Sequence, residues 1–225
     1  KAQRAPAPSP LVEQLRRLDA LLEAFGGIAL GSPGFEADDV LATVAHELRA
    51  EHRPALVVSG DRDLLQTAHG SVRVHFVGRR GKDALVYDEA AVRERFGVPP
   101  WRLPAFVALV GDTSDNLPGV PGIGLATAKK LLAERERVEQ LLDEAPTLPA
   151  RTAELLLAHA EQIRHTARLA TLRTDAVLPQ PPHLAAPIAD QLEGLRALFE
   201  ALEFKSLLPR LDKLQASLRA GTAVA

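Results

Sequence analysis

Ala55-Leu56-Val57-Val58-Ser59-Gly60-Asp61-Arg62-Asp63 is the stretch on which the fold turns. A short, unbroken apolar run of this kind reads as a strand buried on both faces, the pattern of a parallel sheet. It runs straight into a glycine and two acids, at the carboxyl end of the strand where ligands gather in open α/β sheets. Leu64, Leu65 and Ala68 then suggest a helical turn.

Upstream, Val40, Leu41, Val44, Ala45 and Leu48 share one side of a helix expected over 36–48, and Ile28 to Leu30 reads as a short strand. Leu11, Leu15, Leu18, Leu22 and Phe25 form the face of one helix that stops at Gly26-Gly27, behind a proline-containing lead-in from Lys1 to Pro10. Downstream, Val72 to Val77 alternates, Arg79 to Lys82 is a polar turn and Ala84 to Tyr87 a second strand, with helices expected over 88–96 and 101–110. Strands alternating with helices give an α/β core with a largely parallel sheet. After Val110 the β-branched runs vanish, and helices are expected over 124–132, 138–143, 152–172 with a break, 190–202 and 205–214. Four prolines make Leu178 to Pro187 a surface loop. The division is therefore 1–110 for the α/β part, 111–218 for a helical half and 219–225 for a frayed tail.

Three acidic clusters sit at element boundaries: Glu36-Ala37-Asp38-Asp39 at a helix start, Asp61-Arg62-Asp63 after the strand, and Asp112-Thr113-Ser114-Asp115-Asn116 after an apolar helix. Each has an ordinary explanation, as a complement to a helix dipole, as turn formers, or as an Asx-turn and N-cap. Their common topological position favours a further role. Seven acids brought together repel one another unless cations neutralise them, and hard oxygen donors suit Mg²⁺ or Mn²⁺. The candidate ligands are Glu36, Asp38, Asp39, Asp61, Asp63, Asp112 and Asp115, expected in one cleft.

Gly119-Val120-Pro121-Gly122-Ile123-Gly124 leads directly into Leu125-Ala126-Thr127-Ala128-Lys129-Lys130. Glycines allow a tight turn and a close approach of phosphate to the backbone, and the amides of the new helix face that anion. The pattern is that of a helix-hairpin-helix, which holds duplex backbone without reading bases; a plain connector is the simpler alternative. Gly119, Val120, Gly122, Ile123, Gly124, Thr127, Lys129 and Lys130 are the candidate DNA contacts.

Composition sets the limits. The 225 residues are 46% hydrophobic and 25% charged, as in a folded globular protein able to bury a sizeable core. A formal charge of −2 excludes a globally basic nucleic-acid binder but not a local basic face. With no cysteine, disulfides, thiolate metal sites and a cysteine nucleophile are impossible, and a reducing cytoplasm is the expected compartment. No apolar run reaches the about 18 residues of a membrane span. The sequence starts at Lys1 and contains no Met, which leads to the expectation of a fragment or processed chain.

Three motifs then carry a family resemblance. Gly34-Phe35-Glu36-Ala37-Asp38-Asp39-Val40-Leu41, Ser59-Gly60-Asp61-Arg62-Asp63-Leu64 and the run from Gly111 to Gly124 resemble, in order, acidic and hairpin motifs of the 5'-nuclease (5'-3' exonuclease) domain of bacterial DNA polymerase I, in the flap endonuclease superfamily. Arg168 to Asp175 and Leu198 to Phe204 are similar to its C-terminal part. The resemblance implies a PIN-like sheet with flanking helices, its first strand missing, followed by the helix-hairpin-helix half. It implies a structure-specific nuclease that uses two divalent ions on DNA bearing a 5' flap, nick or primer end, in replication and repair. Glu36, Asp38 and Asp39 would serve mainly the first ion, and Asp61, Asp63, Asp112 and Asp115 mainly the second. K⁺ would sit on backbone carbonyls around Val120 and Ile123. Lys1-Ala2-Gln3-Arg4 resembles the arch motif Tyr-Lys-Ala-x-Arg, making Lys1 and Arg4 the candidate catalytic contacts to the reacting phosphate. Family members begin with a further strand, two acidic positions and most of the arch, none of which this sequence contains. A monomer in the bacterial cytoplasm, associated with the nucleoid and with a fused or separate DNA polymerase as partner, completes the expectation. Two rivals stand beside it: a catalytically impaired fragment that only binds duplex DNA without sequence preference, and a phosphatase or other metal hydrolase, against which the glycine hairpin argues.

Overall fold

The computed structural model describes residues 8–78, 84–179 and 191–220. Lys1, Arg4, the polar turn at 79–82, most of the proline loop and the last five residues lie outside them.

The chain opens with two short helices, α1 (Ser9–Leu15) and α2 (Leu18–Ala24), where periodicity suggests one. The break falls at Arg16 and Arg17, and both halves are seven residues long, with mostly exposed side chains. Without a continuous apolar face against a core, tertiary packing does little to enforce one helix. Ile28 to Leu30 is not a strand. No neighbouring strand accepts its backbone groups among the described residues, and a strand without a ladder has nothing to hold it.

α3 (Ala37–Ala50) buries Val40, Ala42, Ala45 and Leu48. β1 (Ala55–Ser59) follows, then a 3-10 turn over Asp63–Thr67. β2 (Val72–Phe76) pairs with β1 in parallel, and β3 (Leu85–Tyr87) pairs with β2 antiparallel. The sheet is thus mixed, with order β1-β2-β3 among the described residues. Burial of β1 on both faces is overturned. Val57 is buried, but Leu56 and Val58 remain 54% and 59% exposed. Among the described residues β1 is an edge strand, and α3 packs on it from Val57's side.

α4 (Glu89–Phe96) starts at Asp88, whose side chain accepts the Ala91 amide at 2.8 Å, and stops at Gly97 with φ of 72°. A 3-10 turn at Pro100–Arg102 feeds α5 (Leu103–Val110), an apolar helix buried almost all round. Then come α6 (Leu125–Leu132), α7 (Val138–Asp143), α8 (Ala150–Ala158) and α9 (Ala160–Ala170). The expected break in the 152–172 helix falls at His159. α10 (Gln191–Ala201) and α11 (Leu208–Arg219) close the chain.

Two compact units result: residues 31–178, and residues 1–30 with 179–225. In the larger unit one core runs from Val57, Leu64, Val72 and Val74 through Leu109 to Leu132, Leu141, Leu156 and Ile163. Buried Arg102 ties it together, donating to the Leu132 carbonyl at 2.8 Å and the Ala133 carbonyl at 3.0 Å and pairing with Glu136. The smaller unit has its own core of Leu192, Leu195, Phe199 and Leu211, with Leu21 and Ala24 against it. Among the described residues no helix is long and apolar enough to cross a membrane.

Candidate functional site

Several of the acids have local tasks that fix their place. At the start of α3, Asp39 accepts the Glu36 amide at 3.2 Å and, with its other oxygen, the Arg173 amide at 2.9 Å. Arg173 forks onto Asp175 and lies 4.1 Å above the Phe35 ring, so the segment after α9 is fastened to this helix start. Beyond β1, Ser59 Oγ accepts the Asp61 amide and Asp61 Oδ1 the Asp63 amide, both at 3.0 Å. After α5, Asp112 Oδ1 accepts the Ser114 amide at 2.7 Å and the Ser114 hydroxyl. The Asp112 and Leu117 backbones exchange two bonds that close the loop. These are the turns and caps that short acidic side chains form in general.

Their charges nonetheless meet. The Asp63 carboxyl is pushed up to about 7, first by burial and then by Asp61, Asp115, Asp112 and Asp38. Asp112 moves the opposite way. Burial raises it, but the Ser114 hydroxyl and amide, the Asp115 amide and the charge of Arg62 together hold it below the ordinary range. Four of the other six acids therefore act on Asp63, while Glu36 and Asp39 stand at the α3 start and are not among the groups acting on it. Oxygen donors without thiolates fit a hard divalent cation, and a buried carboxyl surrounded by like charge is what such a cation would relieve. Among the described residues, however, no three acidic or histidine side chains stand close enough to hold an ion as they are. A cation would have to draw them together.

The hairpin is built against this loop. A Cβ on Gly119 would lie 2.4 Å from the Val110 carbonyl carbon, and one on Gly111 2.7 Å from the Gly119 nitrogen. Only two glycines allow the backbones to cross so closely. The Val120 amide donates to the Leu109 carbonyl at 2.8 Å, and buried Val120 and Ile123 anchor the turn. Gln162 of α9 donates to the Pro118 and Gly119 carbonyls at 3.2 and 3.0 Å. Gly122, with φ of 89°, and Gly124 then open α6, leaving Leu125 62% exposed and Thr127 and Lys130 in solvent. Lys129 is turned aside. Its stem lies over Gly97, and its ammonium donates to the Arg95 carbonyl at 3.2 Å, at the end of α4.

A cavity of about 320 Å³ joins the two parts, lined by Asp63 and Asp112, by Arg62, Arg95 and Lys129, and by Phe106. Arg95 and Gln162 carry no local sequence signal, because Lys129, Pro118 and Gly119, which meet them here, lie far along the chain. Arg173 lies inside the quoted Arg168 to Asp175 stretch, but its bond to Asp39 spans the fold. Arg62 lies inside a quoted motif, and its charge beside Asp112 could have been read there.

Two family models cover most of the chain. One, described as the 5'-3' exonuclease N-terminal resolvase-like domain, matches residues 1–97, and the 5'-3' exonuclease C-terminal SAM fold matches residues 98–191. The thermostable DNA polymerase I of Thermus thermophilus is 41% identical over 96% of this chain and 25% of its own length. A Mycobacterium tuberculosis 5'-3' exonuclease is 38% identical over 92% of this chain and 68% of that protein. The chain thus spans about a quarter of the polymerase relatives. Among solved structures, T5 5'-exonuclease with bound zinc superposes with a TM-score of 0.60 at 21% identity, covering 97% of this chain and 73% of that one. That likeness concerns the fold.

Proposed function

The chain belongs to the 5'-3' exonuclease family, and we propose that it hydrolyses phosphodiester bonds in DNA near 5' ends, at flaps, nicks or primer ends, in replication and repair. The observation that carries this reading is the Asp63 carboxyl. It sits beyond the end of β1, raised by burial and by four other carboxylates, on the wall of a cavity that also holds cationic side chains. Glu36, Asp38 and Asp39 would hold one divalent cation, and Asp61, Asp63, Asp112 and Asp115 a second, with Mg²⁺ or Mn²⁺ suited to the donors. Bound there, such ions supply Lewis acidity and charge neutralisation at the phosphate.

The chain's own residues have separate parts. The loop closed by Asp112 and Leu117 holds Asp112 and Asp115 in place, and the Asp61 turn aims Asp63. Arg62 and Arg95 line the cavity and would attract the phosphate backbone. The α6 N-terminus, with Gly119, Gly122, Gly124, Thr127 and Lys130, would grip the duplex through phosphates. Lys129 would join them by leaving its bond to Arg95, and carbonyls near Val120 and Ile123 would take K⁺. Lys1 and Arg4 would steady the reacting phosphate. The protein would act as a monomer alongside a fused or separate polymerase, in the bacterial cytoplasm at the nucleoid.

One observation favours a second reading, a module that binds duplex DNA without cutting it: no three carboxylates among the described residues already surround a common point. A time course on 5'-flap DNA in Mg²⁺ separates the two. Cleavage by the wild type, reduced about 100-fold or more by Asp63→Asn or Asp115→Ala, supports the nuclease. Flap DNA held but left intact supports the binding module.

A further inference from the structure

A second cavity, of about 490 Å³, lies in the larger unit on the other side of Gln66. Its charged lining is dominated by arginine. Arg49 comes from the last turn of α3, Arg137 from the residue before α7, and Arg164 and Arg168 from one face of α9. Arg164, Ala167, Arg168 and Thr171 follow one another at helical spacing along that face, so two like charges stand one turn apart toward the same space. Among the described residues Arg137 and Arg168 have no side-chain hydrogen bond or ion pair. Arg164 pairs with Glu161 at 2.7 Å, and Arg49 meets His46 Nδ1 at 2.9 Å. Of the two acids on the rim, Glu136 is already taken by Arg102, leaving Glu139.

The site is also built. Gly70, at φ of 64°, leaves room for the Arg49 stem, since a Cβ there would come within 3.1 Å of Arg49 Cδ. Burial holds the Arg49 guanidinium below its ordinary value, so an anion beside it would be stabilising. Gln66 donates to the Ala170 carbonyl at 2.8 Å and accepts the Leu172 amide at 3.3 Å, which fixes the wall between the cavities. The same Gln66 lines the acid-bearing cavity.

We propose that this arginine cavity binds the phosphodiester backbone of a nucleic-acid strand, as a contact separate from the glycine hairpin. Arginine forks match phosphate oxygens. Gln66 lines both cavities, so they are neighbours, and a polynucleotide, unlike a small phosphate, carries enough phosphates to reach both. The inference rests on the reading that the chain holds DNA.

The test uses fluorescence anisotropy on the full chain with a labelled duplex bearing a single-stranded 5' tail, in Ca²⁺, from 50 to 200 mM salt. The double variant Arg137→Gln/Arg168→Gln should lower the slope of log K against log[salt] by about 2. Arg137→Lys/Arg168→Lys should keep the wild-type slope, and Arg53→Gln/Arg151→Gln, the same charge change on exposed positions elsewhere, should leave it near wild type. Thermal melts confirm that all variants fold. If the wild type binds with a steep slope and the Gln pair in the cavity behaves as the control pair does, this inference is overturned while the DNA reading stands. If the wild type does not bind at all, both fall. Two titrations identify another occupant. A nucleoside monophosphate or a poly-glutamate peptide that binds the wild type and not the Gln pair, with DNA affinity unchanged, assigns the cavity to a small phosphate or an acidic protein and overturns the proposal.

Discussion

The two cavities that share Gln66 are held open by opposite means. At the acid-bearing one, the carboxylates are short side chains fastened by backbone amides: Asp112 of the lining accepts the Ser114 amide, and beside the lining Asp61 accepts the amide of Asp63. In the arginine cavity they are long side chains that reach in from helices already packed for other reasons. The first arrangement fixes carboxylates at the cost of like-charge repulsion, visible at Asp63. The second leaves two of its four arginines, Arg137 and Arg168, without a side-chain partner among the described residues, while Arg164 pairs with Glu161 and Arg49 with His46. Chemistry on a reacting group needs positions held closely, whereas holding a charged strand needs only a favourable field.

The sharpest way to break this contrast is to part the acid loop from its support. Gly119→Val places carbon against the Val110 carbonyl, and urea unfolding should show a loss of about 3 kcal/mol or more, beyond ordinary overpacking. Gly124→Ala, with nothing within 4 Å, should stay within about 0.5 kcal/mol of wild type. Equal losses in the two variants would refute the idea that the glycines serve the loop crossing.

Next comes cation binding, read by melting temperature. If the acids await a divalent ion, Mg²⁺ at ten times its Kd adds about 1.4 kcal/mol to the wild type. The gain should largely vanish in Asp63→Asn. A wild type whose melting is indifferent to Mg²⁺ and Mn²⁺ would remove the metal reading.

The pH dependence is smaller. A carboxyl raised to about 7 in the folded state binds a proton more tightly there than in the unfolded chain. Stability is therefore lost as pH rises from the ordinary carboxylate range through about 7, and levels off above it. Because Asp63 is only partly buried, the loss is screened to about 1 kcal/mol. Urea unfolding at pH 5 and pH 8 should show it in the wild type and not in Asp63→Asn; the same slope in both would place the burden on another group.

The smallest effect concerns Gln162. Removing its bonds to Pro118 and Gly119 with Gln162→Ala should cost about 1 kcal/mol, read as faster hydrogen exchange at the Val120 amide. Unchanged exchange would mean that the glycine crossing alone holds the hairpin.

Much of this architecture was legible in the chain. The run Ala55–Ser59 is β1, and the acids stand at element boundaries as their turn-forming chemistry requires. What failed depended on neighbours. Ile28 to Leu30 has strand-like residues and no ladder, and Leu56 and Val58 have core-like side chains on an edge strand. Periodicity joins α1 to α2 because it cannot see that neither half buries a continuous face. In the site, contacts within a few residues, such as Asp112 with Ser114, follow from local turn chemistry. Gln66 with Ala170 and Asp39 with Arg173 arise only once α9 has folded back, and no local pattern announces them.

The crossing of Gly111 and Gly119 has a thermodynamic consequence. Two backbones in such close contact cannot be displaced separately, so the loop bearing Asp112 and Asp115 and the turn that opens α6 respond as one mechanical body. Any ligand that selects one arrangement of the loop also selects one of the turn, and linkage makes that coupling reciprocal. A cation at Asp112 would change affinity for a phosphate at α6 by the same factor by which the phosphate changes affinity for the cation. Titrating each in the presence of the other measures that single number twice.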